Sequence, residues 1–224
     1  MMKTILLFFC FFDSLFAAEP SQFDTQWIPS KPEVLTYRST GSEGGGLYQV
    51  SICRKDDHID LYMNIISPGF TKTVAGTMTS EMQPLQSTAK IIIDGQVAMD
   101  TKCFYDMRSF TITTSMEPYG RTITNSPSFS GSVLDYSQTP LLVRTVKLEK
   151  GARFKFTSLN PRTNNLSPLN MAVIGQDSTQ KTLCFKVEVS DFEGTSIYWV
   201  ECGNQRRVMR IEQPESKRIT ELIE

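Results

Sequence analysis

Four of the five cysteines, all but Cys10 in the apolar leader, and one histidine are the residues of this chain best suited to chemistry, and their neighbours decide which kind. Cys53, Cys103, Cys184 and Cys202 follow the first fifty residues, and none belongs to a C-x-x-C pair. An even set without that spacing points to disulfides in an exported chain rather than to a metal or a redox dithiol, the other reading being four buried free thiols. The single histidine, His58, sits in Asp56-Asp57-His58-Ile59-Asp60. Serine-type hydrolysis needs a base beside its nucleophile, and one histidine in a turn composition with no G-x-S-x-G elbow does not supply it. Asp and His also ligate metals, but adjacent turn residues point in different directions and no second histidine supports them, so a solvated hairpin tip is expected. The glycine-rich run 41–46 lacks the Lys-Ser/Thr of a phosphate-binding loop and reads as a connector. Asn165-Leu166-Ser167 spells a glycosylation acceptor, with Pro168 after it, as short triplets do by chance. Carboxylates are plentiful, yet nothing singles out a pair for glycoside cleavage. The expectation is a protein with no catalytic residues, metal or cofactor.

The elements that must position these residues are strands. In 183–190 the apolar residues fall at Leu183, Phe185, Val187 and Val189, alternating with Lys186 and Glu188, the period of a half-buried strand. A three-residue turn at Phe192-Glu193-Gly194, with Gly194 supplying a positive φ, places Val187 opposite Trp199 and Val189 opposite Ile197. The same register sets Cys184 across from Cys202. If those two join, Cys53 pairs with Cys103, although the sequence alone permits three connectivities; closing the shorter loop would stabilise by roughly 3 kcal/mol. Further strands are predicted at 34–40, 47–54, 59–66, 72–79, 85–93, 96–104, 109–116 and 153–159, with Lys55-Asp56-Asp57-His58 and Asp94-Gly95 as turns. An Asn- and Pro-rich loop at 160–168 then leads to a strand at 171–175. One helix is predicted near 139–147, where Thr139 caps, Pro140 takes the first position, and Leu142 with Val146 forms an apolar i, i+4 pair. The fold class expected is all-β: a strongly curved antiparallel sheet or half-barrel with one short helix laid across it.

Residues 1–17 carry Lys3, an apolar run at 5–12 and a small residue at Ala17, with Ala18 after it, the layout of a secretory signal peptide cut near Ala17 or Ala18. The run is shorter than a bilayer span, so no transmembrane segment is expected after cleavage. An extended lead-in, 18–32, is expected to begin packing at Phe23 and Trp27, followed by one antiparallel β domain over 33–224. The balance of 23 basic and 24 acidic residues gives a net charge of −1, which argues against a nucleic-acid partner. With 40% hydrophobic residues the chain can build a substantial core.

The order of features in the second half, from Asp135 through PLLVRTVKLEKGARF, Val173-Ile174-Gly175, CFKVEV, IYWVECGNQRRVMRIE and ITELI, resembles the bacterial exported family known as domain of unknown function 3108. Arg144, Gly151, Trp199 and Glu212 are the fixed points of that likeness. It implies a cell-envelope protein, periplasmic or secreted, with a curved antiparallel sheet distantly similar to half-barrels that carry lipoproteins and lipids; it implies no reaction. The aromatic and aliphatic set Phe154, Phe156, Phe185, Ile197, Trp199 and Leu142 is then a candidate apolar ligand cavity, or else ordinary core. Two functions are expected to compete: a binding or carrier module for an apolar small molecule such as a lipid acyl chain, and a structural or assembly protein of the envelope acting through its strand edges.

Overall fold

The computed structural model describes residues 23–223 apart from 42–44, 110, 118–122, 126–127, 129–132, 161–162 and 164; the expected signal peptide, 1–17, lies outside the described residues. One sheet of fifteen strands takes up most of that chain. Its first arm is β1 (Glu33–Thr40), β2 (Gly46–Arg54), β3 (Ile59–Ser67), β4 (Phe70–Met78), β5 (Pro84–Ile93), β6 (Gln96–Asp106), β7 (Thr111–Met116) and β8 (Ile123–Asn125). The second arm holds β9 (Val133–Asp135), β10 (Arg153–Asn160), β11 (Asn165–Thr179), β12 (Thr182–Asp191), β13 (Gly194–Glu201), β14 (Val208–Gln213) and β15 (Arg218–Leu222). The order β8-β7-β6-β5-β4-β3-β2-β1-β15-β14-β13-β12-β11-β10-β9 means that two meanders meet where β1 pairs with β15. The pairings are antiparallel except that of β9 with β10, which is parallel.

Local sequence explains most of this. In β3, Ile59, Leu61 and Met63 are buried while Asp60, Tyr62 and Asn64 are not, so alternation alone assigns the faces. Asp94 and Gly95 both have positive φ between the paired residues Ile93 and Gln96, the geometry that a two-residue hairpin demands. The strand β11 is longer than its apolar core suggests. Its ladder with β12 begins at Asn170, so Pro168 faces only β10 and sits where an edge tolerates a missing N–H. Much of the expected loop at 160–168 is therefore paired strand, from Asn160 opposite Asn165 to Thr157 opposite Pro168.

The sheet curls until one end strand, β9, packs against β5, three strands in from the other end, yet no ladder joins them among the described residues. A small core of Cys103, Tyr105, Ile112, Val133 and Leu159 fills that contact. The larger core lies on the concave side under helix α1 (Thr139–Thr145). Leu142 and Val146 are completely buried there, as their spacing predicts, and each such burial stabilises by about 1.5–3 kcal/mol. The helix start differs from the expectation. Gln138 is its N-cap residue, and a 3-10 turn, Tyr136–Gln138, precedes it; Asp135 caps that turn, while the Thr139 hydroxyl donates back to the Tyr136 carbonyl at 2.8 Å.

The β12–β13 register is one residue away from the sequence reading. Asp191 pairs with Gly194, so the loop is the two residues Phe192 and Glu193; the Asp191 carboxylate accepts the Glu193 N–H at 2.7 Å and tightens it. Gly194 does carry a positive φ, of 118°, but inside the pairing rather than in the loop. Val187 consequently faces Tyr198, Val189 faces Ser196, Trp199 faces Lys186 and Ile197 faces Glu188. A one-residue slip exchanges every side chain between faces. No disulfide is formed in this structure: Cys184 lies opposite Glu201, and the four cysteines are free, with Cys53, Cys103 and Cys184 buried and Cys202 exposed. Cys53 and Cys103 belong to β2 and β6, roughly 19 Å apart along the sheet at four strand spacings, well beyond bridging reach.

Candidate functional site

A cavity of about 270 Å³ opens on the concave face between α1 and the centre of the sheet. Cross-strand pairing assembles it. One wall runs Tyr198, Ile211, Thr220, Ser39 across β13, β14, β15 and β1; the other runs Tyr48, Ile65, Lys72 across β2, β3 and β4, with Met63 opposite Val74 beside it. Directly opposed residues share a face, so period-two strands deliver these side chains to one side. Tyr136, Ser137, Thr139 and Pro140 close it from the helix, and Glu193 and Arg218 stand on adjoining hairpins.

The floor is largely apolar and the rim polar. Met63 and Val74 are buried, and the Tyr48 hydroxyl donates to the Met63 sulfur at 3.2 Å. Burial, with Tyr198 and Tyr37 nearby, holds the Tyr48 phenol well above its ordinary range, and burial does the same for Tyr198. At the rim the Tyr136 hydroxyl donates to Glu193 Oε2 at 2.5 Å, and Thr220 Oγ1 donates to Ser39 Oγ at 3.1 Å.

Two buried polar centres fix the helical wall. At its front, Asp135 is 2% exposed and accepts bonds from Ser87 Oγ at 2.5 Å, from the Tyr105 hydroxyl, and from the Ser137 N–H and Oγ at 2.8 and 2.5 Å. Those bonds join β9 to β5 and β6, so side chains rather than a ladder hold β9 against the first arm. Burial pushes the adjacent Cys103 thiol up to about 11; the Thr114 hydroxyl works against that rise and the Asp135 charge adds to it. At the back, the buried Arg144 guanidinium meets Glu33 at 2.8 Å, donates to the Arg206 and Gln205 carbonyls at 2.9 and 2.8 Å, and lies 4.1 Å above the Trp27 ring.

None of the six residues expected to form an apolar cavity lines this one. Leu142 and Phe156 are buried in the core, and Phe154, Phe185 and Ile197 pack against it. Trp199, 8% exposed, lies beneath Lys186 and Arg210, whose cationic groups stand 4.6 and 5.9 Å from its ring. The register shift explains Trp199 and Ile197, which point to the face opposite Tyr198. Tyr48, Tyr198 and Lys72 went unnoticed because they meet only through pairings of distant strands; the alternation of Leu61, Met63 and Ile65 was the available clue. His58 stands at the β2–β3 hairpin tip, its ring nitrogens 2.6 Å from Asp57 and 3.2 Å from Asp60, and no group of three His, Cys, Asp or Glu suited to a metal occurs among the described residues.

No family model and no curated protein matches the chain. Among solved structures it is similar to a β-barrel-like protein of domain of unknown function DUF1849 from Brucella abortus, with a TM-score of 0.64 and 8% identity over 88% of this chain and 98% of that one. At that identity the likeness speaks of fold alone. It supports a barrel-like all-β domain of unknown function, a coarser placement than the resemblance to domain of unknown function 3108.

Proposed function

We propose that this protein is a binding or carrier module for a ligand with a single apolar chain, held in the concave cavity. The observation that carries the reading is the cavity itself, with Met63, Val74, Ile211 and the un-ionised phenols of Tyr48 and Tyr198 in its walls. Its volume of about 270 Å³ lies just below the range of roughly 300–1,000 Å³ typical of small-molecule sites, which favours one chain over a two-chain lipid. The leader-like 1–17 segment supports action in the cell envelope after export. A binding role, rather than catalysis, suits a lining whose carboxylate, Glu193, is engaged by Tyr136.

The competing assembly role would use strand edges, but β8 and β9 are three residues each and β9 is buried, which leaves little to template another chain. Native mass spectrometry of delipidated protein with dodecyl amphiphiles tests the proposal. One adduct per chain is expected, lost in a folded Ile211→Trp variant that fills the space. No uptake of any dodecyl compound refutes it.

A further inference from the structure

We infer that the end of the first arm where β3 turns into β4 and β5 into β6 docks on the surface of a lipid bilayer. Leu47 and Ile66 are 47% exposed there, Ile93 48% and Val97 49%. Strand pairing brings them together: Leu47 faces Ile66, Ile66 faces Thr71, Thr71 faces Ile92 and Ile92 faces Val97, a row over the convex side that is apolar except at Thr71. The concave side of the same hairpin ends is apolar too. Ile93 faces Phe70, and Phe70 and Ile65 continue into the cavity lining, with the exposed tip Pro68-Gly69 between the two sides. In a chain that is 21% charged, residues 45–50, 65–71 and 91–99 hold one charged side chain, Asp94, at a turn. The hairpins at the far ends of these strands differ, carrying Lys55, Asp56, Asp57, Glu81 and Arg108.

Exposed apolar side chains that run on from strand to strand mark a contact surface, whereas single ones do not. A protein laid on the sheet would cover one face of it. Here both faces of the hairpin ends are apolar, which suits a medium that surrounds the tips. The acyl boundary of a bilayer is such a medium, and it accepts apolar groups to a depth of about 5–10 Å, the rise of two to three strand residues. Ile66 to Pro68 spans that depth. The cavity adds a second argument, which rests on the reading that it holds an apolar chain: Ile93, Phe70 and Ile65 line a path from the tips to Met63, so a chain drawn from the bilayer stays in apolar contact.

Flotation with phosphatidylcholine vesicles tests the inference, using the chain from residue 18, the form expected after leader cleavage. Binding is expected, and Ile66→Asp and Ile93→Asp should each weaken it by about tenfold, because a half-exposed isoleucine is replaced by a carboxylate that resists burial. Phe104 is 55% exposed at the other end of β6, and Phe104→Asp should change binding by less than about twofold. Thermal unfolding confirms that each variant folds, and Ile66→Trp supplies a second readout, an indole emission that moves to the blue when vesicles are added. Dodecyl adducts in native mass spectrometry without vesicle binding overturn the docking surface and leave the carrier reading standing. Vesicle binding that follows this variant pattern, by a chain that takes up no dodecyl compound, supports the docking surface and removes the carrier reading. An equal loss in Phe104→Asp, or binding that needs anionic lipid and disappears at high salt, overturns the assignment to these tips. A dimer that Ile66→Asp dissociates, with no vesicle binding, makes a second copy the occupant and overturns it as well.

Discussion

Removing the Asp135 carboxylate should loosen the contact in which side chains hold β9 against β5 and β6. In Asp135→Ala, the Ser87 and Tyr105 hydroxyls, 6% and 7% exposed as residues, and the Ser137 N–H lose their acceptor together. A hydrogen bond to a charged group contributes about 1.5–3 kcal/mol, but bonds sharing one acceptor are not additive, so a loss of about 3–5 kcal/mol is expected. For a chain of this size each kcal/mol moves the melting temperature by about 2–4 °C, giving a drop of roughly 6–20 °C. Asp135→Asn should cost only about 1–2 kcal/mol, because its oxygen still caps Ser137 while the two hydroxyls rotate to accept from the new amide. Tyr105→Phe removes a single donor and should cost about 1 kcal/mol. Urea unfolding followed by circular dichroism measures all three. An alanine variant within about 1 kcal/mol of the parent, or an asparagine variant as damaged as the alanine one, would refute the latch.

Arg144→Met should destabilise by about 3–5 kcal/mol, since Glu33 and the Gln205 and Arg206 carbonyls are left without their donor; a loss below about 1 kcal/mol in the same denaturation would contradict that role. The hydrogen bond that the His58 ring donates to the Asp57 carboxylate, with the Asp60 charge adding, raises the His58 pKa above 6.5. Its contribution to stability is therefore complete below the unfolded value and fades as pH rises through the folded one; an imidazole NMR titration with a midpoint at or below 6.5, or unchanged in Asp57→Asn, would count against it. Cys202 should react with a thiol reagent in the native protein, and Cys53, Cys103 and Cys184 only after unfolding. Non-reduced, denatured protein with no titratable thiol at these four positions would instead show the disulfides expected from the sequence.

Strand identity was legible wherever a face is buried, because alternation at Ile59, Leu61 and Met63 needs no knowledge of partners. Asp94-Gly95 was legible because few residues tolerate that backbone. The β12–β13 register was not, since Gly194 suits either a three-residue turn or the first position of the return strand. Only the Asp191 carboxylate bond to the Glu193 N–H distinguishes the two, and choosing the longer turn moved Trp199 and Ile197 to the wrong face. Tyr48, Lys72, Tyr198 and Arg218 converge through β1–β15 pairing, which joins residues near opposite ends of the domain. Such a contact leaves no periodic trace. The role of Arg144 likewise depends on partners distant in sequence, Glu33 and the 205–206 carbonyls.

The latch and the cavity are one mechanical unit. Asp135 caps the 3-10 turn whose Tyr136 and Ser137 form part of the cavity wall, and Arg144 ties down the other end of the same helical segment. A ladder between β5 and β9 would fix the barrel's circumference independently of that wall; side-chain closure makes the wall's position and the seam's integrity depend on the same carboxylate. Anything that binds against Tyr136 and Thr139 must then also stabilise the seam, by about 2.7 kcal/mol at a free concentration one hundred times its dissociation constant. That magnitude is more than half of the stability Asp135→Ala removes, so a ligand that seats against the helical wall should recover most of the lost stability at that concentration.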